Sequence, residues 1–231
     1  MNNSRVSKLS DWDIQGAKSE VYLMDCVEAM KHYSDKHFDL AIVDPPYGID
    51  WMQQIQSPNT KANWKQYENK EWDKQTPTDE YWEQLFRVSK NQIVWGGNYM
   101  TDKLYPSPCW LIWDKMQEFS GAVFEMAWTS FKSPAKAFRM SRVEAYANQN
   151  KIHPTQKPVR LYDWILKNYS EPNQKILDTH FGSGSIALAV DRANRLDNMN
   201  LHLTACEIDK DYIEAAVKRI SWNIKQGTFS F

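Results

Sequence analysis

The chain has 231 residues, of which 42% are hydrophobic and 25% charged, and its net charge is −1. This composition suits one sizeable α/β domain with length left for loops, and no run approaches the ~18 apolar residues of a membrane span. Cys26, Cys109 and Cys206 are too few and too scattered for a disulfide framework or a metal-like pair, so the expected setting is reducing, soluble and cytoplasmic.

In chain order, β-rich runs are predicted at Val21 to Met24, Phe38 to Val43, Gln92 to Trp95, Trp110 to Trp113, Met126 to Phe131, Lys175 to Leu177 and Leu201 to Cys206. Helices are predicted at Cys26 to Tyr33, Thr78 to Val88, Val159 to Tyr169, Ser185 to Arg195 and Tyr212 to Lys225. Strand and helix alternate, which implies a mostly parallel sheet covered on both faces. Residues 92–131 hold three strand candidates with little helix between them, so an antiparallel edge is expected there. Gly48 to Thr76 shows no periodicity and is too long for an ordinary connection. It reads as a lid, with Lys61, Lys65 and Lys70 interleaved among Trp64, Tyr67 and Trp72. That mixture suits contact with unstacked nucleic acid, and local packing of the lid is the plainer alternative.

Charge is uneven. From Met126 to Tyr162 there are seven Lys or Arg and one acid, a net +6 that leaves −7 for the rest. A local basic stretch can neutralise phosphates even in a neutral protein, though a solvated loop face would look the same. Within it, residues 131–152 form a candidate recognition segment. If that segment is helical, Lys132, Lys136, Arg139 and Arg142 share one face.

Asp44-Pro45-Pro46-Tyr47 begins where the buried run Phe38 to Val43 stops. The prolines end sheet pairing and hold the chain extended. A carboxylate and an aromatic ring are thereby fixed at the carboxyl end of a strand, where open α/β sheets bind ligands. The pair suits one problem in particular. The exocyclic amine of a nucleobase is a poor nucleophile, because its lone pair is delocalised into the ring. Two acceptors, the Asp44 carboxylate and the Pro45 carbonyl, can turn that lone pair outward while Tyr47 stacks on the base. The base would have to leave its duplex stack to reach them. A proline-stiffened turn is the structural alternative.

Three further blocks carry chemistry. Lys175 to Asp178 runs into Phe181-Gly182-Ser183-Gly184-Ser185 and then a helix of small apolar residues, a tight turn open to a ligand. Ala205-Cys206-Glu207-Ile208-Asp209 ends the next strand with an acid suited to ribose hydroxyls. Pro154 and Pro158 bracket Thr155, Gln156 and Lys157 in His153 to Pro158. Asp25 ends the first predicted strand, where a helix N-cap is a serious alternative role.

In the order and spacing of these blocks the chain resembles the amino-group DNA methyltransferases, in the permuted arrangement where the catalytic motif precedes the cofactor motif (the beta group). The resemblance spans roughly residues 20–220. It implies a single doubly wound, mostly parallel, seven-stranded Rossmann-like domain with an antiparallel edge. It implies S-adenosylmethionine as methyl donor, no metal, and double-stranded DNA as substrate, in the manner of restriction–modification enzymes. Asp44, Pro45, Pro46 and Tyr47 would be catalytic. The donor's site would be built from Asp25, Cys26, Asp44, Thr155, Gln156, Lys157, Asp178, His180, Phe181, Gly182, Ser183, Gly184, Glu207 and Ile208. Lys132, Lys136, Arg139 and Arg142 would meet DNA. Family members often dimerise, so a homodimer is among the expected states. Asp44, rather than Ser, resembles the adenine-N6 enzymes more than the cytosine-N4 enzymes. The remaining alternatives are RNA or glutamine-amide methylation and a non-catalytic DNA-binding protein that keeps the fold. The chain departs from the family where Asp-Pro-Phe is usual: it has Asp178-Thr179-His180, which puts a polar ring at the cofactor wall.

Overall fold

The computed structural model describes residues 8–14, 17–49, 73–116, 122–146 and 151–227. One sheet organises them, with strand order β1-β2-β9-β8-β3-β4-β6-β5-β7. The strands are β1 (Lys8–Ile14), β2 (Ala17–Leu23), β3 (Phe38–Val43), β4 (Ser89–Trp95), β5 (Trp110–Asp114), β6 (Phe124–Thr129), β7 (Lys136–Arg139), β8 (Lys175–Asp178) and β9 (His202–Glu207). Only β1 and β6 run against the other strands. The helices are α1 (Cys26–Lys31), α2 (Asp79–Val88), α3 (Arg142–Tyr146), α4 (Val159–Tyr169), α5 (Ser185–Asp197) and α6 (Lys210–Gly227).

β3 is central, paired in parallel with β8 on one side and β4 on the other. Its alternation explains both layers. Leu40 and Ile42 pack into the core shared with α4, α5 and α6. Ala41 and Val43 face the other way, toward Met30 of α1 and Tyr81, Trp82 and Leu85 of α2. A strand buried on both faces reads as a continuous apolar run, which Phe38 to Val43 does. In α2, Tyr81, Trp82, Leu85 and Val88 make the buried stripe at helical spacing. Burying one such leucine contributes roughly 1.5–3 kcal/mol. Ser89 ends that helix by donating its hydroxyl to the Leu85 carbonyl at 2.5 Å, and β4 starts there. Arg87 ties α1 to α2, its guanidinium reaching the Tyr33 carbonyl at 2.8 Å and the Met30 carbonyl at 2.9 Å.

The doubly wound, mostly parallel architecture matches expectation, with three differences. Among the described residues the sheet has nine strands rather than seven. The extra ones are β1, which hydrogen-bonds antiparallel to β2, and the four-residue β7, neither marked by an apolar run. The antiparallel strand β6 lies inside the sheet between β4 and β5, and the edge at that end is β7, parallel to β5. Residues 136–139 are therefore a strand and not part of a helix, because Ala137 and Phe138 take ladder positions beside Ile112 and Trp113. Lys61, Lys65, Lys70, Trp64, Tyr67 and Trp72 lie outside the described residues. No described helix is long and apolar enough to cross a membrane.

Candidate active site

Asp44 follows directly on β3 and turns toward the layer that holds α4. Its Oδ2 lies 2.5 Å from Lys157 Nζ, and its Oδ1 accepts the Tyr47 hydroxyl at 2.7 Å. Lys157 sits just before α4, only 3% of its side chain exposed. Its ammonium also donates to Tyr47 Oη at 3.3 Å, lies 3.2 Å from Glu125 Oε2 and stands over the Trp95 indole at 5.3 Å. Burial pushes the Asp44 carboxyl above the usual carboxylate range, against the pull of Lys157 and Tyr47. Burial works against the Lys157 ammonium, and Asp44 and Glu125 outweigh it, so its pKa ends above the ordinary value. Asp44 thus stands in the site with its counter-ion already in place.

Tyr47 is held from three directions. Its backbone N–H donates to Asp73 Oδ1 at 2.7 Å, and Gly48 N–H donates to the same oxygen at 3.2 Å. Its ring stacks on Tyr99 with centroids 5.2 Å apart and planes at 16°. Beneath it lies Gly96, where a Cβ would fall 2.1 Å from Tyr47 Cε1 and where φ is +69°. Both the contact and the left-handed backbone require glycine. Tyr99, on the turn after β4, is 46% exposed, so the slot opens outward.

The glycine turn lies across β3, after β8. Gly182 and Gly184 both have positive φ, at +50° and +69°, but are constrained differently. At Gly182 an added Cβ would rest in ordinary van der Waals contact with the His153 ring, nearest at Cδ2, 3.7 Å away, so the positive φ and not crowding is what favours glycine there. At Gly184 a Cβ would press to 2.8 Å from Ile220 Cδ1, so that glycine serves the packing of α5 against α6. Glu207, at the end of β9, accepts Gly182 N–H at 2.8 Å on Oε2 and Asp209 N–H at 3.0 Å on Oε1. A carboxylate oxygen has a second lone pair, so the turn and the acid are locked together with acceptor capacity left. Ile208 beside it is 70% exposed. Asp25 is an N-cap, accepting Val27 N–H at 2.9 Å and Glu28 N–H at 3.1 Å on one oxygen. Burial, reinforced by Asp25, raises the Cys26 thiol to about 12, so it stays protonated.

Asp178 accepts His180 N–H at 3.0 Å, and burial raises its carboxyl to about 8. His180 is pushed down to about 4 by burial and is neutral at physiological pH. Its ring packs 5.6 Å from Tyr81, and its Nδ1 lies 2.9 Å from Thr179 Oγ1, which in turn contacts the Tyr81 hydroxyl at 2.8 Å. The polar ring is therefore accommodated, and it adds no charge to the wall. Phe181 and Ser183 are buried within the turn. Gln156 is 3% exposed; its Oε1 accepts Ile152 N–H at 3.0 Å, while its Nε2 has no hydrogen-bond partner among the described residues. Thr155 pairs locally with His153 Nδ1 through its hydroxyl at 3.1 Å. Ser185 Oγ, at the start of α5, donates to the Lys157 carbonyl at 2.7 Å and so joins the two halves. Acids for a cationic or hydroxylated ligand and an orphaned amide donor for a carboxylate, beside a glycine turn, fit S-adenosylmethionine.

The four basic residues do not share a face. Lys136 and Arg139 are three apart on a strand and point to opposite sides. Lys132 and Lys136 sit at the end of the sheet away from Asp44, with Lys136 against Asn168 at 3.2 Å and the Tyr169 ring at 5.3 Å. Arg139 lies at the site's end, 3.5 Å from Asp114, and Arg142 opens α3 nearby. Sequence reasoning missed Asp73, Gly96, Tyr99, Lys115 and Glu125. Gly96-Gly97 after a strand was a usable signal; a lone acid or lysine in a strand was not.

The chain is similar to several known DNA methyltransferases. The N6/N4 methylase family model, described as DNA methylase, matches residues 112–218. The chain is 23% identical over 211 residues to the type II methyltransferase M2.MboI of Moraxella bovis, covering 73% of this chain and 77% of that protein. It is 29% identical over 90 residues to M.BglII of Bacillus subtilis, 39% of this chain and 23% of that one. Among solved structures, the M1.HpyAVI–SAM complex aligns with a TM-score of 0.53 at 16% identity, over 87% of this chain and 98% of that one. The cytosine-N4-specific PvuII DNA methyltransferase aligns at 0.54 and 13%, over 86% and 85%. At such identities the structural matches establish the shared fold.

Proposed function

We propose that this chain, a DNA methyltransferase of the N6/N4 kind that draws on S-adenosylmethionine, methylates adenine N6 on a base turned out of the duplex. The observation that carries the reading is the Asp44–Tyr47 pair at the end of β3, two hydrogen bonds away from the glycine turn through Lys157 and Ser185. Asp44 accepts one amine hydrogen on its carboxylate, and the Pro45 carbonyl accepts the other. The nitrogen's lone pair is thereby directed out of the base plane. Tyr47 is backed by Gly96, and the base would stack on the ring face that Tyr99 now covers, displacing it. Lys157 opposes the upward push that burial gives the Asp44 carboxyl.

Bound donor supplies a methyl group already activated on a sulfonium. Glu207 would take the ribose hydroxyls, Ile208 and Cys26 would lie beside the adenine, and Gln156 and Thr155 would take the carboxylate of the amino-acid part. Arg139 and Arg142 lie at the site's end of the sheet and are the better placed of the four basic residues to meet phosphates or guanine edges. A second copy of the chain would enlarge that small recognition surface, and sedimentation with and without DNA would reveal it.

The reading is tested by incubating the protein with labelled S-adenosylmethionine and duplex DNA, then digesting and identifying the nucleoside. N6-methyladenine is expected. N4-methylcytosine would replace adenine by cytosine in the reading, and absence of any methylated nucleoside despite donor binding would remove the enzyme. Asp44→Ala should abolish the product.

A further inference from the structure

We propose that Glu125 and Lys115 are positioning residues for the methylated amine, which hold the Lys157 ammonium on one oxygen of Asp44 and so leave the other oxygen for the target. This rests on the amine-methylation reading above. Four side chains form one line of alternating charge, and a neutral fifth ends it. Lys115 Nζ lies 2.8 Å from Glu125 Oε1, Glu125 Oε2 lies 3.2 Å from Lys157 Nζ, and Lys157 Nζ lies 2.5 Å from Asp44 Oδ2. Tyr47 ends the line at 2.7 Å from Asp44 Oδ1. Each ammonium also sits over an indole, Lys115 over Trp113 at 5.4 Å and Lys157 over Trp95 at 5.3 Å. The line crosses from the end of β5 through β6 to the segment before α4 and the end of β3, so no single element fixes it.

Neutralising Asp44 needs only one cation. A second carboxylate next to the pair adds repulsion and is itself costly to bury. Its position explains its presence. Left alone with Asp44, a buried ammonium would settle across both carboxylate oxygens and take the acceptor sites that an amine requires. Glu125 pulls from the opposite side, and Lys157 is observed on Oδ2 only, with Oδ1 given to the exchangeable Tyr47 hydroxyl. Lys115 balances Glu125 from outside. Burial opposes ionisation of Glu125, but Lys157 and Lys115 outweigh it and hold its carboxyl down at about 2. Besides its contacts with Lys157 and Tyr47, Asp44 shares its surroundings with Glu125, Asp178, Tyr81, Tyr146 and Tyr162.

The test is the pH dependence of kcat for the full-length protein, Glu125→Gln and Lys115→Met, each normalised to donor-binding sites counted by equilibrium dialysis. In Glu125→Gln, Asp44 loses a neighbouring negative charge and gains sole hold of Lys157. Its acid limb should move to lower pH, while kcat falls about tenfold through lost positioning and both KM values change less than about twofold. In Lys115→Met, Glu125 draws harder on Lys157, and the limb should move to higher pH. Opposed shifts establish the positioning role. Limbs that coincide with wild type, or a normalised kcat in Glu125→Gln equal to wild type, would reduce Glu125 to a packing role and overturn the proposal. A wild-type protein that methylates no DNA overturns the parent reading instead, and this proposal falls with it.

Discussion

The two halves of the site are built on opposite plans. Around Gly182 and Glu207 the groups are mostly backbone amides and one acid, joined within two successive βα units. Around Asp44 they are long side chains from β3, β5, β6 and the approach to α4. A backbone-built site keeps its shape as long as the turn keeps its φ values. A side-chain site depends on the sheet bringing distant strands into register. The donor half should therefore tolerate side-chain replacement better than the amine half, where each replacement should strike the chemical step.

Three substitutions test that contrast, from the largest effect down. Asp44→Ala should lower kcat by at least about 10²–10³-fold, the scale of losing one group aimed at developing charge, with donor affinity little changed by calorimetry. Gly96→Ala forces a Cβ into the Tyr47 ring; a displacement near 1 Å costs about 10²-fold, and kcat should fall while donor binding persists. Equal losses in binding and turnover would break the contrast. Glu207→Gln should act the other way, weakening donor binding about tenfold, or about 1.4 kcal/mol, with kcat at saturation nearly unchanged.

The smallest effect concerns stability and pH. Asp178 has a folded pKa of about 8, against an ordinary 3.8. The folded chain holds the extra proton, so this group favours folding at low pH, and that contribution is lost as pH rises to about 8. His180, lowered from 6.5 to about 4, acts in the opposite sense: its contribution is present above 6.5 and lost as pH falls toward 4. Between pH 6.5 and 8 only the Asp178 effect of these two operates, and Tm should decline. In Asp178→Asn the decline should be shallower; an unchanged slope would contradict the burial of an ionisable carboxyl there.

Much of this molecule was legible before folding. Phe38 to Val43 matched its strand and Val159 to Tyr169 its helix, because burial on two faces or on one helical stripe writes itself into the residue pattern. The motif at Asp44 and the turn at Gly182 were legible because prolines and glycines encode local backbone geometry. β7 was not: Lys136–Arg139 is short, polar and edge-placed, and its pairing with β5 supplies what its composition lacks. Without that pairing its basic residues read as a helical face, which the strand divides between two sides and, with Lys132, between two ends of the sheet.

By itself, then, the sequence determined which segments are strands buried on both faces, where the chain must turn, and that a carboxylate and a ring stand at a strand end. Those properties are set by residues a few positions apart. Only the tertiary structure decided that Asp44 meets Lys157 across 113 positions of chain, that Glu125 and Lys115 brace that contact, and that Arg139 and Arg142 stand apart from Lys132 and Lys136. The Coulomb interactions among these groups depend on distance in space, and that distance exists only once β3, β5 and β6 lie side by side in one sheet.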